Sequence, residues 1–414
     1  MARKRPILIH RAERPADDPR ARFLIEMARA LGTYNVAAHR LEEAIKEGAE
    51  ALGLRAQIFS TPTSVFVSIE IKDHRETHLA RVDPRSPDLT KIVALDEVLG
   101  HVITKRVTPT KGTRLVKRII RRRPRFGDTT HLFAHVLTAA CIARFFAGGW
   151  HEIIAASTIG FAVGLLAIIA RRQRHVARLI ECIAGIIAAV LAAFFASAFG
   201  GLSIELTTVA GLISLMPGMT ITTAMSELAT RNLVSGTARF VGAIVIVFSI
   251  GFGVAIGQAV GTNIPGVVDA SPDIAPAWTE AAAILLAPAG FLVLFNARLR
   301  DAPIMLLAGS LSFLLARLAT SEIGTEFGVC LVALVVGVVG NLYARLRNRP
   351  ASVVILPGIL MMVPGSLSFR SFEFFLAQDT LTGTQTAFKV LFTALALVAG
   401  LLFANVAAEP KRPL

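Results

Sequence analysis

The sequence predicts a membrane all-α bundle of about ten transmembrane helices, arranged as two inverted five-helix repeats and preceded by a small soluble α+β domain. Three observations predict it. The 414 residues are 54% hydrophobic and only 17% charged, with a mean hydropathy of +0.61, whereas soluble domains carry about 25% charged residues. Charge is also uneven, crowding into the N-terminal region and thinning sharply after Arg125. Finally, two similar apolar segments each carry a Pro-Gly pair, at Pro217-Gly218 and Pro364-Gly365.

The charged region, 1–127, reads as a cytoplasmic α+β domain with a basic linker. Phe23, Met27, Leu31, Val36, Leu41, Ile45 and Leu52 recur at helical spacing, predicting two amphipathic helices broken near Gly32. QIFSTPTSVFVSIEIK alternates apolar and polar residues around Thr61-Pro62, the pattern of two strands and a turn. THLARV supplies a third strand, and 89–103 a further helix. The N-terminus lacks an apolar signal core, so this domain is expected to stay on the side where it is made. His39, Glu42, Glu43 and Ser64 supply hydrolytic residue types, but no nucleophile elbow or base-orienter spacing accompanies them. A gating or assembly role fits better, with the basic segment 111–125 resting on anionic lipid.

Apolar stretches of about 20 residues span a bilayer, because lipid offers backbone groups no partner. Candidates lie near 129–148, 152–170, 177–199, 204–222, 237–260, 279–297, 302–319, 326–344, 350–369 and 384–405. If the N-terminal domain is cytoplasmic, the connections on that side hold Arg171, Arg172, Arg174, Arg178, Arg231, Arg298, Arg300, Arg345, Arg347 and Arg349, and the tail adds Lys411 and Arg412. The opposite connections hold Arg370, with Arg144 and Arg317 near that face. This bias predicts both termini inside. It also accounts for the net charge of +14 without nucleic acid, for which no aromatic-basic module is present.

GLISLMPGMTITTAMSELATRNLVSGT from Gly211 resembles GILMMVPGSLSFRSFEFFLAQDTLTGT from Gly358. Gly211, Pro217, Gly218, Gly236 and Thr237 fall opposite Gly358, Pro364, Gly365, Gly383 and Thr384. Duplication is the better reading of that register, giving repeats over 128–262 and 276–408. With an odd number of spans in each, the second repeat enters the membrane from the other side. Inverted repeats of this kind build secondary transporters, whose sites lie where corresponding helices are interrupted by Gly or Pro.

At these residues the chain resembles the threonine/serine exporter family. The resemblance rests on LGTYNVAAHRLEEAIKEGAEALGL and QIFSTPTSVFVSIE, between Leu31 and Glu70, and in the membrane on LISLMPGMTITTAMSELATRNLVSGTAR and VILPGILMMVPGSL. It implies a hydrophilic domain before ten spans in two related halves, and proton-driven export of threonine and serine across a bacterial inner membrane. The chain departs from the family pattern at Leu31-Gly32-Thr33, before the tyrosine.

The expected substrate site then comprises Pro217, Gly218, Thr220, Thr223, Pro364, Gly365, Ser366 and Arg370. Hydroxyls and freed carbonyls suit the ammonium and hydroxyl of threonine, and Arg370 suits a carboxylate. Glu227 and Glu373 are the candidate proton carriers, with Arg239 and Lys389 as second-rank ion partners. His131 and His135 have a metal-compatible i, i+4 spacing without a third ligand. The cysteines, Cys141, Cys182 and Cys330, read as small membrane-helix residues, so no metal or cofactor is expected. A homo-oligomer is compatible with the sequence. The competing functions are export of another small metabolite, or a membrane-anchored hydrolase with its activity in the N-terminal domain.

Overall fold

The computed structural model describes residues 18–71, 74–347, 350–363, 365–376 and 378–409. The N-terminal stretch read for a signal core, Arg349, Pro364, Lys411 and Arg412 lie outside the described residues. The chain divides into two compact units, the first holding the residues up to Arg85 with Lys91–Arg122, the second Ser86–Thr90 and everything from Arg123 onward.

In the first unit, α1 (Pro19–Thr33) starts where Asp18 accepts the Arg20 N–H at 2.8 Å and Pro19 supplies a pre-set φ. The Arg20 side chain, also bonded to that carboxylate, holds Asp18 below the usual carboxylate range despite partial burial. The expected break near Gly32 falls slightly later. Gly32 stays helical, packed on Val82 and Val65, and Asn35 takes the left-handed turn at φ 61. Next come α2 (Ala38–Ala51) and the strands β1 (Arg55–Thr61), β2 (Ser64–Ile71) and β3 (His74–Arg81), an antiparallel sheet in that order. Thr61 pairs with Ser64, so Pro62 and Thr63 form the two-residue turn. Val65, Val67 and Ile69 alternate into a core with Phe23, Leu24, Met27, Leu41 and Ile45. α3 (Leu89–Ile103) adds Leu95, and α4 (Pro109–Arg121) adds Val116. The sequence marked 111–125 only as basic, yet most of it is helical. Gly112 of α4 fits against Phe23 and Val102, while Lys111, Arg114, Lys117, Arg118 and Arg121 face away.

The second unit is helical: α5 (Asp128–Phe145), α6 (Trp150–Arg172), the short α7 (Arg174–Ala177), α8 (Ile180–Phe199), α9 (Ile204–Leu212), α10 (Gly218–Ala229) and α11 (Leu233–Gly261). A long connection leads to α12 (Ala277–Leu294), α13 (Ala302–Ile323), α14 (Thr325–Arg347), α15 (Ser352–Leu360), α16 (Gly365–Leu376) and α17 (Thr380–Ala407). Phe133, Leu165, Phe194, Val241, Leu285, Leu318 and Phe392 point outward, as lipid-facing residues must. Among the described residues, eight helices are long and apolar enough to cross a membrane, nine if the bent α9–α10 pair counts as one. That corrects the expected ten. The shortfall is α5, whose 18 residues include Asp128, His131, His135 and Arg144 and are less apolar for it.

Helices pack through small residues, which let backbones approach closely where lipid supplies no hydrophobic drive. Contacts of the same kind recur along this unit. A methyl group on Gly160 of α6 would meet Ala139 of α5, and one on Gly309 of α13 would meet Pro288 of α12. Gly253 of α11 lies on the Cys182 carbonyl of α8, and Gly400 of α17 lies on the Cys330 carbonyl of α14. Gly211 of α9 meets Ile159 of α6, as Gly358 of α15 meets Ser312 of α13. Between the halves, α5 and α12 run antiparallel: Arg144 near the end of α5 bonds Thr279 at the start of α12, and Thr138, earlier in α5, faces Gly290, later in α12.

Candidate functional site

Both Pro-Gly segments break their helices. After α9 the chain tightens into a 3-10 turn, Ile213–Leu215, and bends by 58° into α10. Pro217 lacks an N–H and disturbs the carbonyl of the preceding turn, and together with the 3-10 tightening before it and Gly218 after it this ends the helix. The first helical bond after it runs from Ile221 N–H to Pro217 O, at 2.9 Å. In the second segment α15 ends at Leu360, the Met362 N–H closes a turn on Ile359 O at 2.8 Å, and α16 restarts at Gly365. The interruptions expected in the spans 204–222 and 350–369 are therefore present, the first as a bent pair of half-helices and the second as a break inside the candidate span Ser352–Phe374. Each second half-helix turns back within a few residues into α11 or α17.

The two restarts meet. A Cβ placed on Gly218 would lie 2.9 Å from Gly365 Cα and 3.0 Å from Gly365 N, besides striking Val363. From the other side, a Cβ on Gly365 would lie 3.5 Å from Met216 Cβ and 3.6 Å from Gly218 Cα. The N-termini of α10 and α16 thus converge, each presenting first-turn N–H groups and the positive end of its dipole. The Thr222 hydroxyl donates to Gly218 O at 3.1 Å and Ser368 to Gly365 O at 2.6 Å, which occupies those two hydroxyls. Thr220 and Ser366 are half-buried on these first turns, and Thr223 is half-buried one turn further along α10.

The charged candidates separate into two other clusters. Arg370 Nε lies 3.2 Å from Glu205 Oε1 at the start of α9, without hydrogen-bond alignment, and its guanidinium sits 5.5 Å from the Phe146 ring centre. Glu373, one turn on, keeps a buried Oε2 that accepts no hydrogen bond. Glu227 is fully buried, and both its oxygens accept from Arg239 Nε at 3.0 Å. That pair staples α10 to α11. Lys389 is not among the described ion pairs. Sequence reasoning missed Glu205, whose position after a serine cap gave no hint of a partner on α16. It also left open what the histidines do. His131 Nδ1 is 3.1 Å from its own helix's Gly127 O, and His135 Nδ1 is 2.8 Å from Ser214 Oγ in the 3-10 turn before Pro217.

Among the described residues, Ser64 and Glu42 are held by contacts of the hairpin and its neighbouring helix. The Ser64 hydroxyl pairs with Thr61 Oγ1 at 2.8 Å to close the hairpin, and Glu42 accepts the Ser60 N–H at 2.8 Å. Burial, with the Arg40 charge beside it, pushes His39 down to about 4, a poor value for a base near neutrality.

The chain matches known families along most of its length. Residues 22–261 match a family model described as "Putative threonine/serine exporter", and residues 280–407 match one described as "Threonine/Serine exporter, ThrE". Pheromone-regulated membrane protein 10 of Debaryomyces hansenii is 26% identical over 85% of this chain and 36% of its own length. The Candida albicans protein of that name is 27% identical over 85% of this chain and 33% of its own. An uncharacterized protein of Schizosaccharomyces pombe is 24% identical, over 84% and 44%. The chain thus spans between a third and a half of the length of these curated relatives. No solved structure matches. With family models matched on both sides of the α11–α12 connection, this multi-pass membrane protein belongs to the threonine/serine exporter family.

Proposed function

We propose that this chain exports threonine and serine in exchange for protons, by alternating access between two inverted halves. The facing N-termini of α10 and α16 carry the proposal, since two half-helix dipoles aimed at one point suit the carboxylate of an amino acid. Thr220, Thr223 and Ser366 flank that point and suit the substrate's hydroxyl and ammonium. The recurring glycine contacts and the antiparallel α5–α12 pair support duplication with inversion.

Glu373 is assigned the coupling proton, because its Oε2 is buried and unbonded while Glu227 is engaged by Arg239. Arg370 is assigned to the surroundings of Glu373 rather than to the carboxylate, since it lies against Glu205. The bias of basic residues favours cytoplasmic termini, with α4 on anionic lipid and the bacterial inner membrane as the setting. The test uses proteoliposomes loaded with labelled threonine or serine under an imposed proton gradient. Gradient-accelerated efflux is expected, and Glu373→Gln should keep threonine–threonine exchange while losing the acceleration. Absence of gradient-dependent efflux of both amino acids would sink the proposal.

A further inference from the structure

A second polar site lies in the membrane unit, away from the Pro-Gly junction in sequence and built by other helices. The end of α5, the start of α12 and the later part of α13 border an open cavity of about 400 Å3 lined by Arg144, Phe145, Ala147, Ile274, Glu280, Phe313 and Arg317. Arg144 is buried. Its Nε donates to Thr279 Oγ1 at 2.7 Å, and its Nη2 lies 3.5 Å from Glu280 Oε2. The other Glu280 oxygen pairs with Arg317. Two guanidinium groups therefore share one carboxylate, leaving one positive charge in excess beside an open cavity. Phe145 and Phe313 stack at 4.3 Å between ring centres and give that cavity an apolar wall.

A purely structural ion cluster does not need this composition. At the start of α5, Asp128 likewise serves two arginines, Arg171 and Arg172, but all three side chains are well exposed and water screens them. Here one arginine is buried, and a buried guanidinium gains most from a fully charged partner. The set matches a small zwitterion. Its carboxylate completes Arg144 and Arg317, its ammonium meets Glu280, and its side chain lies on Phe145 and Phe313.

We propose that this cavity is a second binding site for a small α-amino acid, separate from the junction of α10 and α16. The naming of threonine as the probe rests on the export reading, whereas the cavity and its charges do not.

The chain's two tryptophans make the site readable. Trp150 and Trp278 lie 6.1 Å apart between ring centres, and Trp278 immediately precedes Thr279 and Glu280. Titrating the purified full-length protein with threonine should give a saturable change in tryptophan emission. Arg317→Gln removes a charged donor at a well-exposed position, and should weaken that titration by about tenfold or more. Arg317→Lys keeps the charge and should weaken it less. Glu280→Gln should abolish the preference for threonine over acetate, which carries only the carboxylate. No emission change in the native protein, or equal affinity in Arg317→Gln and Arg317→Lys relative to it, overturns the site. Loss of threonine flux with the titration intact would overturn the export reading alone, and flux without titration would overturn this site alone.

Discussion

Gly218 and Gly365 hold equivalent sequence positions, yet their surroundings predict unequal tolerance of a methyl group. At Gly218 the new carbon would sit 2.9 Å from Gly365 Cα and 3.0 Å from Gly365 N, with Val363 closer still. Backbone cannot rotate away as a side chain can, so α10 and α16 must part by roughly half an ångström, a strain of about 1–3 kcal/mol. At Gly365 the nearest atoms are at 3.5, 3.6 and 3.7 Å, ordinary contact distance. Each is the first residue of its helix, so the interior preference of about 1 kcal/mol for alanine over glycine applies only in part. Gly365→Ala should therefore be neutral or mildly stabilising, and Gly218→Ala clearly destabilising. The assay is the midpoint of thermal unfolding for detergent-solubilised protein, read beside threonine efflux from proteoliposomes. Gly218→Ala is expected to lower the midpoint and slow efflux, because the facing N-termini are displaced. Equal behaviour of the two alanine variants would refute the convergence of α10 and α16.

Two further outcomes follow from buried charge. Arg239→Met removes the charged donor that both oxygens of the fully buried Glu227 share, and should cost about 3–5 kcal/mol in unfolding; the double change Glu227→Leu with Arg239→Met should recover most of it, and failure to recover would assign the pair more than a staple's role. In the first unit, His39 is partly buried, with a value near 4 against an ordinary 6.5. The folded form therefore binds fewer protons than the unfolded one between those values. Stability is full above pH 6.5 and falls as pH drops toward 4, by at most about 1.4 kcal/mol per unit. Hydrogen exchange of α1 and α2 amides should report faster opening at pH 5 than at pH 7, and His39→Leu should remove the difference.

What the sequence disclosed was whatever is local. Apolar length marks a span, a Pro-Gly pair marks a break where a lone Pro288 or Pro357 stays inside its helix, and alternation sets a strand, so the sheet, the long membrane helices and both Pro-Gly breaks were legible. The helix α4 was less so, because its basic residues obscure the short buried stripe of Gly112, Thr113 and Val116. Partnership between distant charges was not legible at all. Arg370 belongs with Glu205, and Arg144 and Arg317 share Glu280, because helix rotation and packing order bring them together. Residue type gives a charge but not the helix face opposite it. The same limit explains Arg144, which reads as a snorkelling end residue and is in fact buried against Thr279.

The repeated and unrepeated features divide along chemical lines. Close backbone approach recurs: Gly253 on Cys182 answers Gly400 on Cys330, and Gly160 on Ala139 answers Gly309 on Pro288. Charge does not recur. In the register of the two Pro-Gly segments, Glu227 and Arg239 correspond to Phe374 and Thr386, and Arg370 to Thr223. Two inverted halves with identical charges would make inward-open and outward-open forms mirror images of equal free energy. A ligand or proton shifts such an equilibrium only by its differential affinity for the two forms. On the proposed mechanism, duplicated glycines supply two interchangeable packings, and the single-copy charges make those packings unequal to a proton. The asymmetry around Glu373 then lets a proton bias a scaffold that packing alone leaves balanced, while the proton gradient sets the direction of transport.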